Sequence, residues 1–250
     1  MTEPGEPREE AQSFLAADGV TLRATRRITG RRRVVLVAPG IFLHRESVEH
    51  RALARRLAAV ADVVTLDIRG HGDSEGAFTW GVREPEDVAG VAAALRRTYD
   101  RVGGLGFSFG GHHVGMAAAL HRAFDAVALV AAPRHLFILD HNFLTRGLLR
   151  SAPLMVRRQR RATRLALPGR PPAGLGGVID RIAPVPLLVA HGEADWLIPP
   201  AHARHLYARA GEPKRLLVLE RALHAENILV DDPEPLVAEL ARFFDESLLP

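Results

Sequence analysis

Short apolar segments alternate with amphipathic segments along most of this 250-residue chain, and no other feature constrains its fold as strongly. Residues 34–38, 63–67 and 126–132 are short apolar runs, whereas 47–60 and 85–99 place apolar residues at helical spacing. Buried strands that are connected by helices form a mostly parallel sheet with helices on both faces. The pattern therefore predicts an α/β fold.

The same periodicities extend over the rest of the chain and predict eight strands. Asp18-Gly19 is a hairpin turn signal, so the first two strands form an antiparallel pair at one edge of the sheet. The predicted strands are residues 13–17, 20–28, 34–38, 63–67, 101–107, 126–132, 185–190 and 215–219. The predicted helices are residues 47–60, 85–99, 110–121, 201–210 and 235–249.

Composition excludes several classes of protein. The chain is 47% hydrophobic and 25% charged, which is typical of a soluble globular domain. Its longest apolar run, residues 126–133, is far shorter than the roughly 18 residues of a membrane span. The absence of cysteine excludes disulfides, thiolate metal ligands and a cysteine nucleophile.

The first ten residues are acidic and include two prolines, so we predict a flexible tail over 1–10 followed by one domain over 11–250. The tail contains no apolar core of a signal peptide, and we expect a cytoplasmic protein. The net charge of +4 is small, and no aromatic stripe accompanies the arginines. We therefore expect no nucleic-acid partner.

One long segment interrupts the alternation of strands and helices. About fifty residues separate the sixth and seventh predicted strands, and insertions of that length in compact domains are usually functional. We predict a short helical lid at about 137–182, with arginines on one face and apolar residues from Leu148 to Ala166 on the other. A solvated arginine face is the favoured interpretation. Peripheral contact of that face with anionic lipid, a carboxylate or a phosphate is the alternative.

The sequence Gly-Phe-Ser-Phe-Gly at 106–110 lies where a predicted strand turns into a helix. A serine at the apex of such a turn has a strained backbone and is exposed, and glycines two positions to either side prevent collisions. The following helix directs its free N–H groups at charge that develops during acyl transfer. Ser108 is therefore the predicted nucleophile.

A serine hydroxyl needs a base to remove its proton, and in this topology the acid and then the histidine follow the serine along the chain. Asp195 follows the seventh predicted strand and His224 follows the eighth. Because the carboxyl ends of parallel strands share one edge, we predict that Asp195 orients His224 and that His224 is the general base. Glu193 is the alternative acid.

Four motifs together resemble the α/β-hydrolase superfamily, and the resemblance is nearest to small-lid serine esterases, including monoglyceride-lipase-like and serine-aminopeptidase-like members. The motifs are Pro-Gly-Ile-Phe at 39–42, Asp-Ile-Arg-Gly-His-Gly-Asp-Ser at 67–74, the segment 106–110, and His-Gly-Glu-Ala-Asp at 191–195 followed by His224. The resemblance implies an α/β-hydrolase fold with an eight-stranded sheet. It also implies an oxyanion hole formed by the backbone N–H groups of Ile41 and Phe109. In relatives the 67–74 loop looks structural, so we expect no chemical role for His71.

We predict that the chain cleaves small-molecule acyl esters through an acyl-enzyme intermediate, with no metal and no cofactor. A thioesterase or amidase with the same residues is one alternative, and a non-catalytic binding protein of this fold is another. Phe42, His44 and Trp196 are possible substrate-pocket residues. We expect activity to fall as His224 becomes protonated, near the ordinary pKa of about 6.5 or lower in a dry pocket. The oligomeric state stays open.

Overall fold

The computed structural model describes residues 8–136, 163–167 and 174–249. Eight strands in these ranges form one sheet, as the sequence predicts. Their order in the sheet is β1-β2-β4-β3-β5-β6-β7-β8. The strands are β1 (Arg8–Leu15), β2 (Thr21–Ile28), β3 (Arg33–Ala38), β4 (Asp62–Leu66), β5 (Arg101–Phe107), β6 (Ala126–Val130), β7 (Leu187–Gly192) and β8 (Lys214–Leu219).

Six α-helices connect or follow these strands within the described ranges. They are α1 (Val48–Leu57), α2 (Glu84–Leu95), α3 (Phe109–His121), α4 (Ala201–Arg209), α5 (Glu226–Asp231) and α6 (Glu234–Ser247). Two short 3₁₀ helices, Leu175–Gly177 and Ile179–Ile182, precede β7. None of the helices in the described ranges is both long and apolar enough to cross a bilayer.

The antiparallel edge of the sheet is longer than the sequence predicts. The hairpin of β1 and β2 closes at Gly19, whose φ of 83° suits glycine. However, β1 begins at Arg8, which pairs with Ile28. The predicted tail over 1–10 is therefore wrong for its last three residues, because the register of β2 carries the pairing on to them.

The parallel strands β3 to β7 are buried on both faces, because helices cover each side of the sheet, whereas β8 at the edge is only partly buried. The central strands β5 and β6 are almost entirely buried. Apolar side chains of α2, α3 and α4 form the core on one side, and those of α1, α5 and α6 form the core on the other. Because helices cover both faces of the sheet, the sequences of these strands are continuous apolar runs rather than alternating ones.

Most of the predicted lid, at about 137–182, lies outside the described residues. Residues 163–167 belong to it and are extended rather than helical. Leu165 forms a parallel bridge with Phe78, and the Ala166 N–H donates to the Phe78 carbonyl at 2.9 Å. The helical spacing predicted up to Ala166 therefore does not hold at this end, since the backbone there hydrogen-bonds to a neighbouring loop.

Candidate active site

The turn between β5 and α3 has the strained geometry that the sequence predicts. Ser108 has φ 50° and ψ −120°, a conformation that costs about 1–3 kcal/mol and persists only where the surrounding structure enforces it. Its N–H donates to the Val130 carbonyl at 2.8 Å. A Cβ on Gly106 would lie 2.5 Å from the Gly111 Cα, so only glycine fits before the turn.

Hydrogen bonds connect the side chains of Ser108, His224 and Asp195 in a continuous chain, which we call the relay. His224 Nε2 lies 2.9 Å from Ser108 Oγ, and His224 Nδ1 lies 2.7 Å from Asp195 Oδ2. A carboxylate only accepts hydrogen bonds, so Nδ1 carries the proton and Nε2 is left to accept from the serine hydroxyl. All three residues are buried. The prediction that Ser108 is exposed at the apex of its turn is therefore wrong, because the surrounding loops cover the hydroxyl.

Asp195 accepts hydrogen bonds on both of its oxygens. The Leu197 and Ile198 N–H groups donate to Oδ1, each at 2.9 Å. His191 Nε2 lies 2.8 Å from the Ile198 carbonyl and 3.1 Å from Asp195 Oδ2. A carbonyl oxygen only accepts, so His191 Nε2 carries a proton and serves as a further donor to the carboxylate.

The charges of this site shift both pKa values in the direction of an ion pair. Burial by itself would raise the pKa of Asp195, but the charge of His224 and the hydrogen bonds from His191 and His224 outweigh it and hold that pKa below its ordinary value. Burial would lower the pKa of His224, but the adjacent Asp195 carboxylate raises it above its ordinary value. The carboxylate is thus ionised and ready to stabilise an imidazolium.

The loops that carry Asp195 and His224 are bonded to each other. The Ala194 N–H donates to the Ala222 carbonyl at 3.0 Å, and the Glu193 N–H donates to the Leu219 carbonyl at 2.9 Å. A Cβ on Gly192 would collide with the carbonyl oxygens of this second loop. The glycine at the end of β7 therefore permits the close approach that brings acid and base together.

The backbone at Ile41 and Phe109 offers two N–H groups near Ser108. Phe109 begins α3, where the first N–H groups have no acceptor within the helix. Among the hydrogen bonds of the described residues, neither the Ile41 N–H nor the Phe109 N–H has an acceptor. The predicted oxyanion hole stays a prediction, and these two groups are available for it.

A family model provides the first comparison with known proteins. The model of the alpha/beta hydrolase fold matches residues 33–177, which is more than half of the chain. The chain belongs to the alpha/beta hydrolase fold family. The match runs from β3 through the Ser108 turn and α3 to the first 3₁₀ helix.

Solved structures share this fold at low sequence identity. The esterase Pf2001 of Pyrococcus furiosus superimposes with a TM-score of 0.79 at 17% identity, covering 97% of this chain and 92% of that one. The esterase RhEst1 of Rhodococcus sp. ECU1013 gives a TM-score of 0.73 at 21% identity, covering 96% and 99%. Est1E of Butyrivibrio proteoclasticus, solved with ferulic acid bound, gives 0.71 at 17% identity, covering 95% and 99%.

A curated relative matches only a short part of the chain. The uncharacterized protein YfhR of Escherichia coli K12 is 44% identical over 48 residues, which is 19% of this chain and 17% of that protein. The match therefore spans about a sixth of the relative's length and assigns no activity.

Glu193, the alternative acid of this hydrolase-fold chain, lies away from the relay. Its carboxylate pairs with Arg204 at 2.9 Å and is half exposed. His71, His112 and His113 are packed histidines. Burial lowers the pKa of His71 to about 4 and those of His112 and His113 to about 3, so all three rings are neutral at pH 7.

The three possible pocket residues lie in loops beyond β3 and β7. Phe42 has a positive φ of 68° and is partly exposed. Trp196 is partly buried and packs against Leu197 and Ile198. His44 is buried, and its Nδ1 accepts the Glu46 N–H at 3.2 Å. Their role in binding substrate stays a prediction.

Sequence reasoning missed two buried residues beside the relay. The signal for His191 is its place four residues before Asp195, at the end of β7. Glu226 follows His224 by two residues, and its carboxylate accepts the Gly40 N–H at 2.8 Å. An acidic residue two positions after the base, in a short apolar segment, is the only signal for this contact in the sequence.

Proposed function

We propose that this chain is a serine hydrolase that cleaves carboxylic esters, with Ser108 as nucleophile, His224 as general base and acid, and Asp195 as the orienting carboxylate. One observation carries the proposal. Ser108 Oγ, His224 and Asp195 form a continuous relay of 2.9 and 2.7 Å, and the serine stands at a strained turn before a helix N-terminus. This arrangement activates a serine for acyl transfer.

Acylation begins when Ser108 Oγ attacks the acyl carbonyl carbon and gives its proton to His224 Nε2. The carbonyl oxygen becomes an oxyanion, and the N–H groups of Ile41 and Phe109 are the proposed donors to it. The imidazolium is stabilised by the Asp195 carboxylate 2.7 Å from Nδ1. His224 then protonates the leaving alkoxide as the ester C–O bond breaks, which leaves an acyl-Ser108 ester.

Deacylation repeats the sequence with water. His224 Nε2 takes a proton from water, the hydroxide adds to the acyl carbonyl, and the same N–H groups donate hydrogen bonds to the oxyanion that develops. Collapse of the intermediate breaks the bond to Ser108 Oγ, which recovers its proton from His224. The products are a carboxylic acid and the free enzyme, and every proton is exchanged among the ester, water and these side chains.

The comparisons support a small-molecule ester as substrate. Two of the structures with this fold are esterases by name, and a third was solved with ferulic acid bound. Those names describe those proteins, and their identity to this chain is 21% or lower. The proposed pocket, with Phe42 and Trp196 beside the relay, would receive an apolar acyl or alcohol group.

Hydrolysis of p-nitrophenyl esters from acetate to palmitate tests this proposal. We expect activity in the wild type and a loss of about 10⁴-fold or more in kcat for Ser108→Ala, because the nucleophile is removed. Ser13→Ala, which removes an exposed hydroxyl on β1, is the control and should keep wild-type activity.

Three results would contradict the proposal. A loss of less than about tenfold in Ser108→Ala would exclude Ser108 as the nucleophile. Failure of the wild type on every ester, together with no labelling by a fluorophosphonate probe, would indicate a binding protein. Release of free coenzyme A from acyl-CoA in preference to ester hydrolysis would identify a thioesterase that uses the same residues.

A further inference from the structure

Glu226 is a buried acidic residue that the proposed chemical steps do not use. It is 5% exposed and stands at the start of α5, two residues after His224. A buried carboxylate is costly unless it has hydrogen-bond partners. Its contacts therefore indicate what it does.

The backbone between His224 and Glu226 is strained. Ala225 has φ 40° and ψ −108° and is fully buried, although it is not glycine. The Asn227 N–H closes the turn by donating to the His224 carbonyl at 2.8 Å. Strained conformations of this kind are kept where neighbouring contacts enforce them. The turn places the His224 side chain beside Ser108 and the Glu226 side chain beside Gly40, in the loop after β3.

Glu226 contacts the residue that precedes the proposed oxyanion donor. Its Oε1 accepts the Gly40 N–H at 2.8 Å, and both groups are buried. Gly40 is in turn packed against the nucleophile, because a Cβ placed on it would lie 3.3 Å from Ser108 Cβ and 2.9 Å from Glu226 Oε1. Gly40 therefore lies between the Glu226 carboxylate and Ser108 and is close to both.

The carbonyl group of Gly40 is fixed by a hydrogen bond as well. Its carbonyl accepts the Leu43 N–H at 3.2 Å, and Phe42 has the positive φ of 68° that the third position of a type II turn requires. In a trans peptide the C=O and the following N–H point in opposite directions. The direction of the Ile41 N–H is therefore set by how the Gly40 peptide groups are held.

We propose that Glu226 is a positioning residue for the oxyanion hole: it holds the Gly40 N–H and so fixes the Ile41 N–H relative to Ser108. This inference rests on the proposed function, since it assigns the oxyanion donor of the same site. It also joins the turn that carries the general base to the turn that carries the donor. The Glu226 side chain thus sets the distance between the general base and the proposed oxyanion donor.

The hydrogen bond requires an acceptor oxygen rather than a negative charge. Burial raises the pKa of Glu226, although the charge of His224 opposes this. The residues of α1 that face it are Glu49 and His50, whose Nε2 lies 3.6 Å from Oε1. Both the ionised and the neutral carboxyl present an oxygen to Gly40, and so does a glutamine amide.

Three variants test the proposal on the full-length protein. Glu226→Ala removes the acceptor, and we expect kcat for p-nitrophenyl esters to fall by about tenfold or more with little change in KM, because oxyanion contacts form in the transition state. Glu226→Gln should keep kcat within about threefold of the wild type. Asp62→Ala is the matched control, since Asp62 is a buried carboxylate that accepts the Thr29 N–H at 2.8 Å at the opposite end of the sheet.

The control separates positioning from loss of stability. Asp62→Ala and Glu226→Ala should both lower Tm, whereas only Glu226→Ala should lower kcat. Equal loss of kcat in the two variants, or no loss in Glu226→Ala, would overturn the proposal. An equal loss in Glu226→Gln and Glu226→Ala would also overturn it, because the acceptor is kept in the first.

Hydrogen exchange provides a readout that does not depend on activity. The amides of residues 40–43 should exchange at least about tenfold faster in Glu226→Ala than in the wild type and at the wild-type rate in Glu226→Gln. If the wild type shows no Ser108-dependent hydrolysis, the proposed function fails and this measurement alone decides whether Glu226 holds the turn. Unchanged exchange in Glu226→Ala would overturn the positioning role in either case.

Discussion

His224 Nδ1 lies 2.7 Å from Asp195 Oδ2, and both atoms are buried. This single contact fixes the tautomer of His224, because a carboxylate cannot donate. It also raises the pKa of the ring, since the Asp195 charge favours the imidazolium. The proposed chemistry depends on both effects: Nε2 must accept from Ser108, and the cation that forms must be stabilised.

Asp195→Asn tests the tautomer. The amide NH₂ of asparagine can donate to Nδ1, which would move the ring proton to Nε2 and leave no acceptor for Ser108. We expect kcat for ester hydrolysis to fall by about 10⁴-fold with the fold intact, because Oδ1 can still accept the Leu197 and Ile198 N–H groups.

Glu193→Gln is the control for that substitution. Glu193 pairs with Arg204 and is half exposed, so its variant should keep activity within about threefold of the wild type. A larger loss in Glu193→Gln than in Asp195→Asn would exchange the two assignments. Circular dichroism and Tm would verify that both variants are folded.

The pH dependence of kcat/KM should show an acid limb above the ordinary histidine pKa of about 6.5. Only neutral His224 can accept the Ser108 proton, and its pKa is raised by Asp195 and, more weakly, by Glu226. A raised pKa keeps the ring protonated to higher pH, so activity is lost earlier on acidification. This differs from the lower pKa expected for a dry pocket, since the ion pair outweighs burial.

A profile between pH 4 and 9 for wild type and Asp195→Asn measures this shift. The acid limb should move to lower pH in Asp195→Asn, because the charge that raises the pKa of His224 is removed. An acid limb below about pH 6 in the wild type would contradict the prediction, since burial would then dominate.

Local patterns in the sequence were sufficient for the sheet and the nucleophile turn. The strand predicted at 101–107 matches β5 in full, because both faces of β5 are buried and the glycines after it mark the turn. Helix α5 has only six residues, which is too short for a periodic signal. The sequence pattern therefore missed it.

Contacts between distant residues could not be read in the same way. Gly40 and Glu226 are 186 positions apart, and their contact depends on the turn at Ala225 and on how β3 lies beside β5. The start of β1 was missed for a related reason, since Arg8 is in a strand only because Ile28 is its partner. Pairing of this kind is set by tertiary structure rather than by local propensity.

Gly106→Ala should destabilise the fold by at least about 2 kcal/mol, because the added methyl group would collide with the backbone of Gly111. Backbone atoms at the turn cannot move without displacing Ser108.

Gly90→Ala is the matched control: Gly90 lies within α2, and its added Cβ would meet no atom within 4 Å. The control should stabilise the protein by about 0.5–1 kcal/mol. Urea denaturation of both variants measures the difference, and equal stabilities would contradict the packing described at the turn.

His191→Leu tests whether the hydrogen bond that His191 Nε2 donates to Asp195 matters for catalysis. The substitution removes the proton donor that lies 2.8 Å from the Ile198 carbonyl and 3.1 Å from Asp195 Oδ2. We expect a loss of about 1–3 kcal/mol in stability, because the buried Ile198 carbonyl loses its partner. We also expect kcat to fall by about tenfold, since Asp195 is less firmly held toward His224.

His121→Leu, at the exposed end of α3, is the control and should change neither quantity. Wild-type kcat in His191→Leu would mean that the Leu197 and Ile198 N–H groups alone hold Asp195 in place.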